Sequence, residues 1–151
     1  LSFGMGCAIA ARIEGSSRNT YVMIGDGELQ EGSIWEAAMA AAHHELGNLN
    51  VFLDCNGIQN DDFTSSTMAA GSLAEKYEAF GWSAKSFVNG HDVADVKSAL
   101  AWATEASANG PAVVEFDTVK GKGVSFMENN PSFHGAPPNE EEFKLAMSEL
   151  G

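Results

Sequence analysis

Short apolar runs alternate with helix-period segments along most of this chain. Residues 21–24, 51–54 and 112–119 are rich in Val, Ile, Phe and Leu, and residues 82–88 are strand-like, which is the pattern of strands buried in a parallel sheet. Helical periodicity fits residues 3–13, 34–46, 73–80 and 93–106. Asp92 is placed to cap the last of these. A further helix is expected after Asn139, a second good N-cap residue, with Glu140, Glu141 and Glu142 suited to its first turn. A polar loop is predicted from the end of the second strand to Ser66, and a long loop from Lys120 to Pro138. Strands alternating with helices predict an α/β fold, a parallel sheet with helices on both faces and right-handed crossovers. No internal repeat or low-complexity tract interrupts this order.

The 151 residues suffice for one domain, residues 1–151, with a sizeable core. Leu1 is not an initiator Met and the first helix begins without a run-up, so the domain is expected to be incomplete at its N-terminus. A net charge of −13 disfavours nucleic acid and anionic membrane surfaces as partners. No run approaches the roughly 20 apolar residues of a spanning helix. Cys7 and Cys55 form neither a disulfide framework nor a metal-ligand spacing, and read as bystander thiols of a reducing compartment, the cytoplasm.

Ligands of such sheets bind beyond the carboxyl ends of the strands. Three unusual segments fall there: Gly25-Asp26-Gly27-Glu28, Asn56-Gly57-Ile58 and Lys120-Gly121-Lys122-Gly123. Glycines let backbone N–H groups approach a phosphate, but an acid within such a loop calls for a cation in between. Asp26, the Asn56 side chain and the Ile58 carbonyl would offer three oxygens to a small hard cation, with phosphate and water completing the set. Taken singly, each segment also reads as an ordinary turn. The glycine spacing does not fit a dinucleotide fingerprint, and the run from Asp54 lacks the Gly and Glu of a calcium loop. His43 and His44 point about 100° apart on a helix and cannot chelate together. Trp35 and Met39, one turn apart, are expected in the core.

The pairing of Gly25-Asp26-Gly27 with Asn56, thirty positions after Asp26, resembles the thiamine-diphosphate motif. The stretch from Glu28 through Gln30-Glu31-Gly32-Ser33-Ile34-Trp35-Glu36 to Ala38 resembles transketolase. So do Leu46-Gly47-Asn48-Leu49, Thr118-Val119-Lys120-Gly121-Lys122-Gly123 and Phe133-His134-Gly135-Ala136-Pro137. The likeness covers nearly the whole chain in order. It is to the N-terminal, diphosphate-side domain of transketolases, or to the N-terminal subunit of a split transketolase.

That resemblance implies a thiamine-diphosphate-binding fold with Mg²⁺ held by Asp26, Asn56 and Ile58. Gly25, Gly27, Glu28, Lys120 and His134 would lie along the cofactor, with His134 also the catalytic group facing substrate. Glu31 and Glu36 resemble an acidic cluster at a subunit interface. The implied activity is transfer of a two-carbon ketol unit between sugar phosphates, in carbohydrate metabolism of the pentose phosphate type. The implied partner is a pyrimidine-binding domain or subunit, in a homodimer or a two-plus-two heterotetramer. The alanine-rich face of residues 37–42, with Trp35 and Met39, is expected to pack in that oligomer. Alternatives are another thiamine-diphosphate enzyme, such as a deoxyxylulose-phosphate synthase or a 2-oxo-acid dehydrogenase component, and a non-catalytic cofactor-binding module.

Overall fold

The computed structural model describes residues 1–60 and 62–151. Asp61, within the predicted polar loop, lies outside the described residues. In chain order the elements are α1 (Ser2–Ile13), β1 (Thr20–Gly25), α2 (Gly32–His43), β2 (Leu49–Cys55), α3 (Thr64–Met68), α4 (Leu73–Ala79), β3 (Ser83–Asn89), α5 (Val93–Ala106), β4 (Ala112–Asp117) and α6 (Glu140–Leu150). The described strands form one sheet in the order β1-β2-β4-β3, every pair parallel. All their carboxyl ends therefore reach the same edge.

The sheet carries helices on both faces, as predicted. Ile24, Leu49, Val51, Leu53 and Val113 pack on one face against α1, α2 and α4, through Ala8, Ile34, Ala38, Ala41, Leu73 and Tyr77. On the other face α5 sets Ala99 and Ala103 against Phe52, Val88, Val114 and Phe116. Each fully buried Val or Leu in these layers contributes about 1.5–3 kcal/mol of apolar transfer. Beyond α5 the second face is bare at β1, where Met23 is 70% exposed.

Alternation of the inward positions explains why residues 51–54 look continuously apolar: Val51 and Leu53 serve one layer and Phe52 the other. Asp92 caps α5 by accepting from the N–H groups of Ala94 (2.8 Å) and Asp95 (2.9 Å). Asn139 and Glu142 form a reciprocal capping box at α6. β4 stops at Asp117, two residues before the predicted end, because Thr118 turns its hydroxyl to Asp54. The one-turn helix α3 begins inside the predicted polar loop and runs two residues past its expected end at Ser66; its Ser66 and Thr67 hydroxyls donate to the Phe63 carbonyl.

The reading of α2 needs correction. Its buried stripe is Ile34, Ala37, Ala38 and Ala41. Met39 lies off that stripe and is 50% exposed, so it is not core. Trp35 sits at the border, partly buried against Tyr77 and Phe80, and gives its indole N–H to the Leu29 carbonyl (2.7 Å). The alanines expected to face another subunit are largely consumed inside the domain, where the Ala38 carbonyl accepts the Trp82 indole N–H at 2.9 Å.

Asn50 is fully buried on β2, and neither amide atom has a hydrogen-bond partner among the described residues. An unsatisfied buried polar group costs about 1–3 kcal/mol. Asn50→Val, close in volume, is expected to stabilise the fold by about 1–2 kcal/mol, seen as a Tm rise of about 2–4 °C per kcal/mol. An unchanged or lower Tm in thermal denaturation would mean that the amide is satisfied in solution.

Candidate functional site

At the carboxyl edge, β1 runs out at Gly25 and the chain enters a tight turn, Gly27–Gln30. Asp26 opens that turn, and its two carboxylate oxygens point to different loops. Oδ1 accepts the N–H of Gly27 (2.9 Å) and Oδ2 accepts the N–H of Gly57 (2.8 Å), 31 residues further on. Its own N–H donates to the Asp54 carbonyl (3.1 Å). The side chain is thus clamped between the two loops. Gly57 takes φ +74°, which aims its N–H at Asp26. Gly27 permits the close approach of the two loops, since a Cβ there would lie 2.7 Å from the Cβ of Gln59.

Asp54 stands behind this turn. Its carboxylate accepts the Asn56 amide N–H (3.2 Å) and the Thr118 hydroxyl. The Asn56 amide oxygen accepts the N–H of Ile58 (3.0 Å). Burial, and then the nearby Asp54 carboxylate, raise the Asp26 pKa above the usual carboxylate value against the opposing backbone N–H bonds. A cation would relieve both effects.

Asp26, Asn56 and Ile58 line a cavity of about 630 Å³ together with Gly25, Gly27, Glu28, Gln30, Glu31, Asp54, Gln59, Asn60, Lys120 and His134. Among its charged side chains the acids outnumber Lys120. A bare polyanion would be repelled, and a divalent cation would offset most of that excess. Among the described residues no group of three or more His, Cys, Asp or Glu could hold a metal by itself. Amide and carbonyl oxygens would have to complete the set, which suits a hard cation.

Lys120 is delivered by a loop closed on itself, with the N–H of Asn129 bonded to the Lys120 carbonyl (3.1 Å). His134 follows the turn Pro131–Phe133, which Asn130 caps through the N–H of Ser132 (3.1 Å). His134 Nδ1 is buried and without a partner among the described residues.

Of the residues selected from sequence, the cavity gathers Gly25, Asp26, Gly27, Glu28, Glu31, Asn56, Ile58, Lys120 and His134. Glu36 does not line it and lies exposed on α2. Lys122 turns instead to Glu128, at 3.5 Å. Burial first, then Glu115 and three aspartates, push the Cys55 thiol up to about 12, which disfavours its thiolate. Sequence reasoning misses Asp54, Thr118 and His91, whose Nε2 accepts the N–H of Val119 (2.7 Å) next to Lys120. The one local signal is Asp54 two residues before Asn56.

The family model described as "Transketolase, thiamine diphosphate binding domain" matches residues 11–151. The chain is 42% identical over 151 residues to an apulose-4-phosphate transketolase subunit of Actinobacillus succinogenes, covering 99% of this chain and 53% of that one. It is 38% identical to a 6-deoxy-6-sulfo-D-fructose transketolase subunit of a Clostridium species, covering 99% and 54%. It therefore spans about half the length of these curated relatives. Among solved structures, transketolase from Pichia stipitis superimposes with a TM-score of 0.88 at 30% identity, over 98% of this chain and 23% of that one. Transketolase from Campylobacter jejuni gives 0.86 at 29% identity, over 99% and 24%. The parallel sheet, its loop-built cavity and these likenesses agree: the chain belongs to the transketolase family, as a thiamine-diphosphate-binding domain.

Proposed function

We infer that residues 1–151 form the diphosphate- and Mg²⁺-binding part of a cytoplasmic transketolase-type transferase that moves a two-carbon ketol unit between sugar phosphates. The observation that carries this reading is the meeting of Asp26, Asn56, Ile58, Lys120 and His134 around one cavity. The donor set fits Mg²⁺: one carboxylate and two neutral oxygens leave room for phosphate oxygens and water. Lys120, the one Lys or Arg among the lining residues, suits a phosphorylated ligand, and His134 lines the same cavity.

When bound, thiamine diphosphate supplies a carbon nucleophile and an electron sink, chemistry that no side chain offers. This chain's residues do the rest. Asp26, Asn56 and the Ile58 carbonyl hold the cation, and Lys120 neutralises phosphate charge left over. Gly25, Gly27 and Glu28 form the turn along the diphosphate, and His134 holds or moves a proton at a substrate oxygen. Glu31 and Glu36 serve a subunit contact. The designation of the curated relatives as subunits favours a pyrimidine-binding partner on a separate chain, in a two-plus-two assembly.

His134→Ala in the assembled enzyme is expected to lower turnover by about 10²–10⁴-fold, the usual worth of a positioned acid–base group, with cofactor affinity little changed. Ketol transfer between sugar phosphates at saturating Mg²⁺ and cofactor measures the first, and calorimetry the second. Turnover within twofold of wild type removes His134 from the reaction. Absence of ketol transfer in the wild-type assembly refutes the proposed activity.

A further inference from the structure

We propose that Asp54 is a positioning residue: it fixes which end of the Asn56 amide faces the cavity and so makes Asn56 an oxygen donor to a divalent cation. The inference rests on the cation site proposed above.

An asparagine amide presents an oxygen at one end and an NH₂ group at the other, nearly equal in size. Only the oxygen can serve a cation, and the NH₂ in its place would repel one. A loop that merely supplies an asparagine therefore leaves the amide free to choose. Here the choice is made. Asp54 Oδ2 accepts from Asn56 Nδ2 at 3.2 Å, and an ionised carboxylate can only accept, so the reversed amide would set oxygen against oxygen. Asn56 Oδ1 accepts from the N–H of Ile58 at 3.0 Å, which selects the same orientation from the other side. An amide oxygen has two lone pairs, so this bond leaves one free.

Asp54 is itself fixed. Its other carboxylate oxygen accepts the Thr118 hydroxyl from the segment after β4, 64 residues away. Its backbone carbonyl accepts the N–H of Asp26 (3.1 Å). One residue at the end of β2 thus joins the segments that follow β1, β2 and β4, and orients a candidate ligand without being one.

Groups that orient metal ligands cost roughly 10–100-fold in metal affinity when removed. Asp54→Ala is expected to weaken Mg²⁺ binding by that factor, read by calorimetric Mg²⁺ titration of the complete assembled protein with saturating thiamine diphosphate. Loss of charge or packing at position 54 could also weaken binding, and a double-mutant cycle separates these. In the Asn56→Asp background the two side-chain oxygens are equivalent, so nothing is left to orient. Asp54→Ala should there be neutral or favourable, because it also relieves carboxylate repulsion. A similar loss in both backgrounds overturns the proposal, as does unchanged Mg²⁺ affinity of Asp54→Ala on native Asn56. If the alanine variant does not fold, Asp54→Val, which fills the site without an acceptor for the Asn56 amide, carries the same cycle. Failure of the wild-type protein to bind Mg²⁺ with thiamine diphosphate refutes the site itself, a result distinct from the other two.

Discussion

Asp26→Ala is expected to abolish Mg²⁺-dependent binding of thiamine diphosphate. The carboxylate is the single charged oxygen donor in the proposed set, and it is also the clamp between two loops, through Gly27 and Gly57. Its loss removes a cation ligand and frees the Gly57 N–H that helps hold the Asn56 segment. Without the cation, a diphosphate would enter a cavity whose remaining walls include Glu28, Glu31 and Asp54. The cost should exceed the roughly 10–100-fold of losing a group that only supports a ligand. Calorimetry with and without EDTA on the assembled protein decides the point, and undiminished EDTA-sensitive binding would discard Asp26 as a ligand. Asp26→Asn adds a finer expectation. It keeps the volume and one oxygen but offers an NH₂ where a backbone N–H now donates, so it should fail nearly as completely.

What the sequence makes legible is what local physics decides. Helix α5 is predicted at its observed bounds because Asp92 supplies two capping bonds within three residues, and the start of α6 is legible from its cap residue Asn139. The strands are legible because the sheet is buried on both sides at β2 and β4, which forces apolar runs. The shared cavity is legible as a consequence of topology, since parallel strands bring Gly25, Cys55 and Asp117 to one edge. The misses have the opposite character. Met39 is misjudged because a four-residue spacing says which side chains are neighbours on a helix, and only the packed sheet says which side is inward. Helix α3 escapes prediction because Thr64, Ser65, Ser66 and Thr67 are poor helix formers, held by hydroxyl bonds to one carbonyl. Thr118 and His91 escape it because their bonds span 64 and 28 residues, and no periodicity carries such a signal; Asp54, bonded to Asn56 two residues on, has only that short spacing to mark it.

The 151-residue chain alone is expected to show no ketol transfer, and activity should appear when a pyrimidine-binding domain or subunit is supplied. The residues that suit the diphosphate all stand on one side, on loops at the carboxyl edge of a single sheet. Transketolase resemblance implies a cofactor held between two domains, with the carboxylate that activates its aminopyrimidine on the far domain. Turnover further requires that the reacting carbon be walled off from water and set against the substrate, and positioning of that kind is worth about 7–11 kcal/mol of a barrier. A cavity built from one domain supplies the anchor for the cofactor but not the opposite wall. Of the face of α2 expected to pack in the assembly, Ala37, Ala38 and Ala41 are already buried within the domain, and Met39, 50% exposed, is what it still offers. Other surfaces remain open to contact: Glu31 is exposed at the cavity edge, and Glu36 is exposed on α2. The assay is transfer between sugar phosphates with excess Mg²⁺ and cofactor, run on the purified chain with and without the partner. Calorimetry on the chain alone should in parallel show weak cofactor binding that strengthens on assembly. Robust turnover by the chain alone would mean that one domain provides both walls of the site.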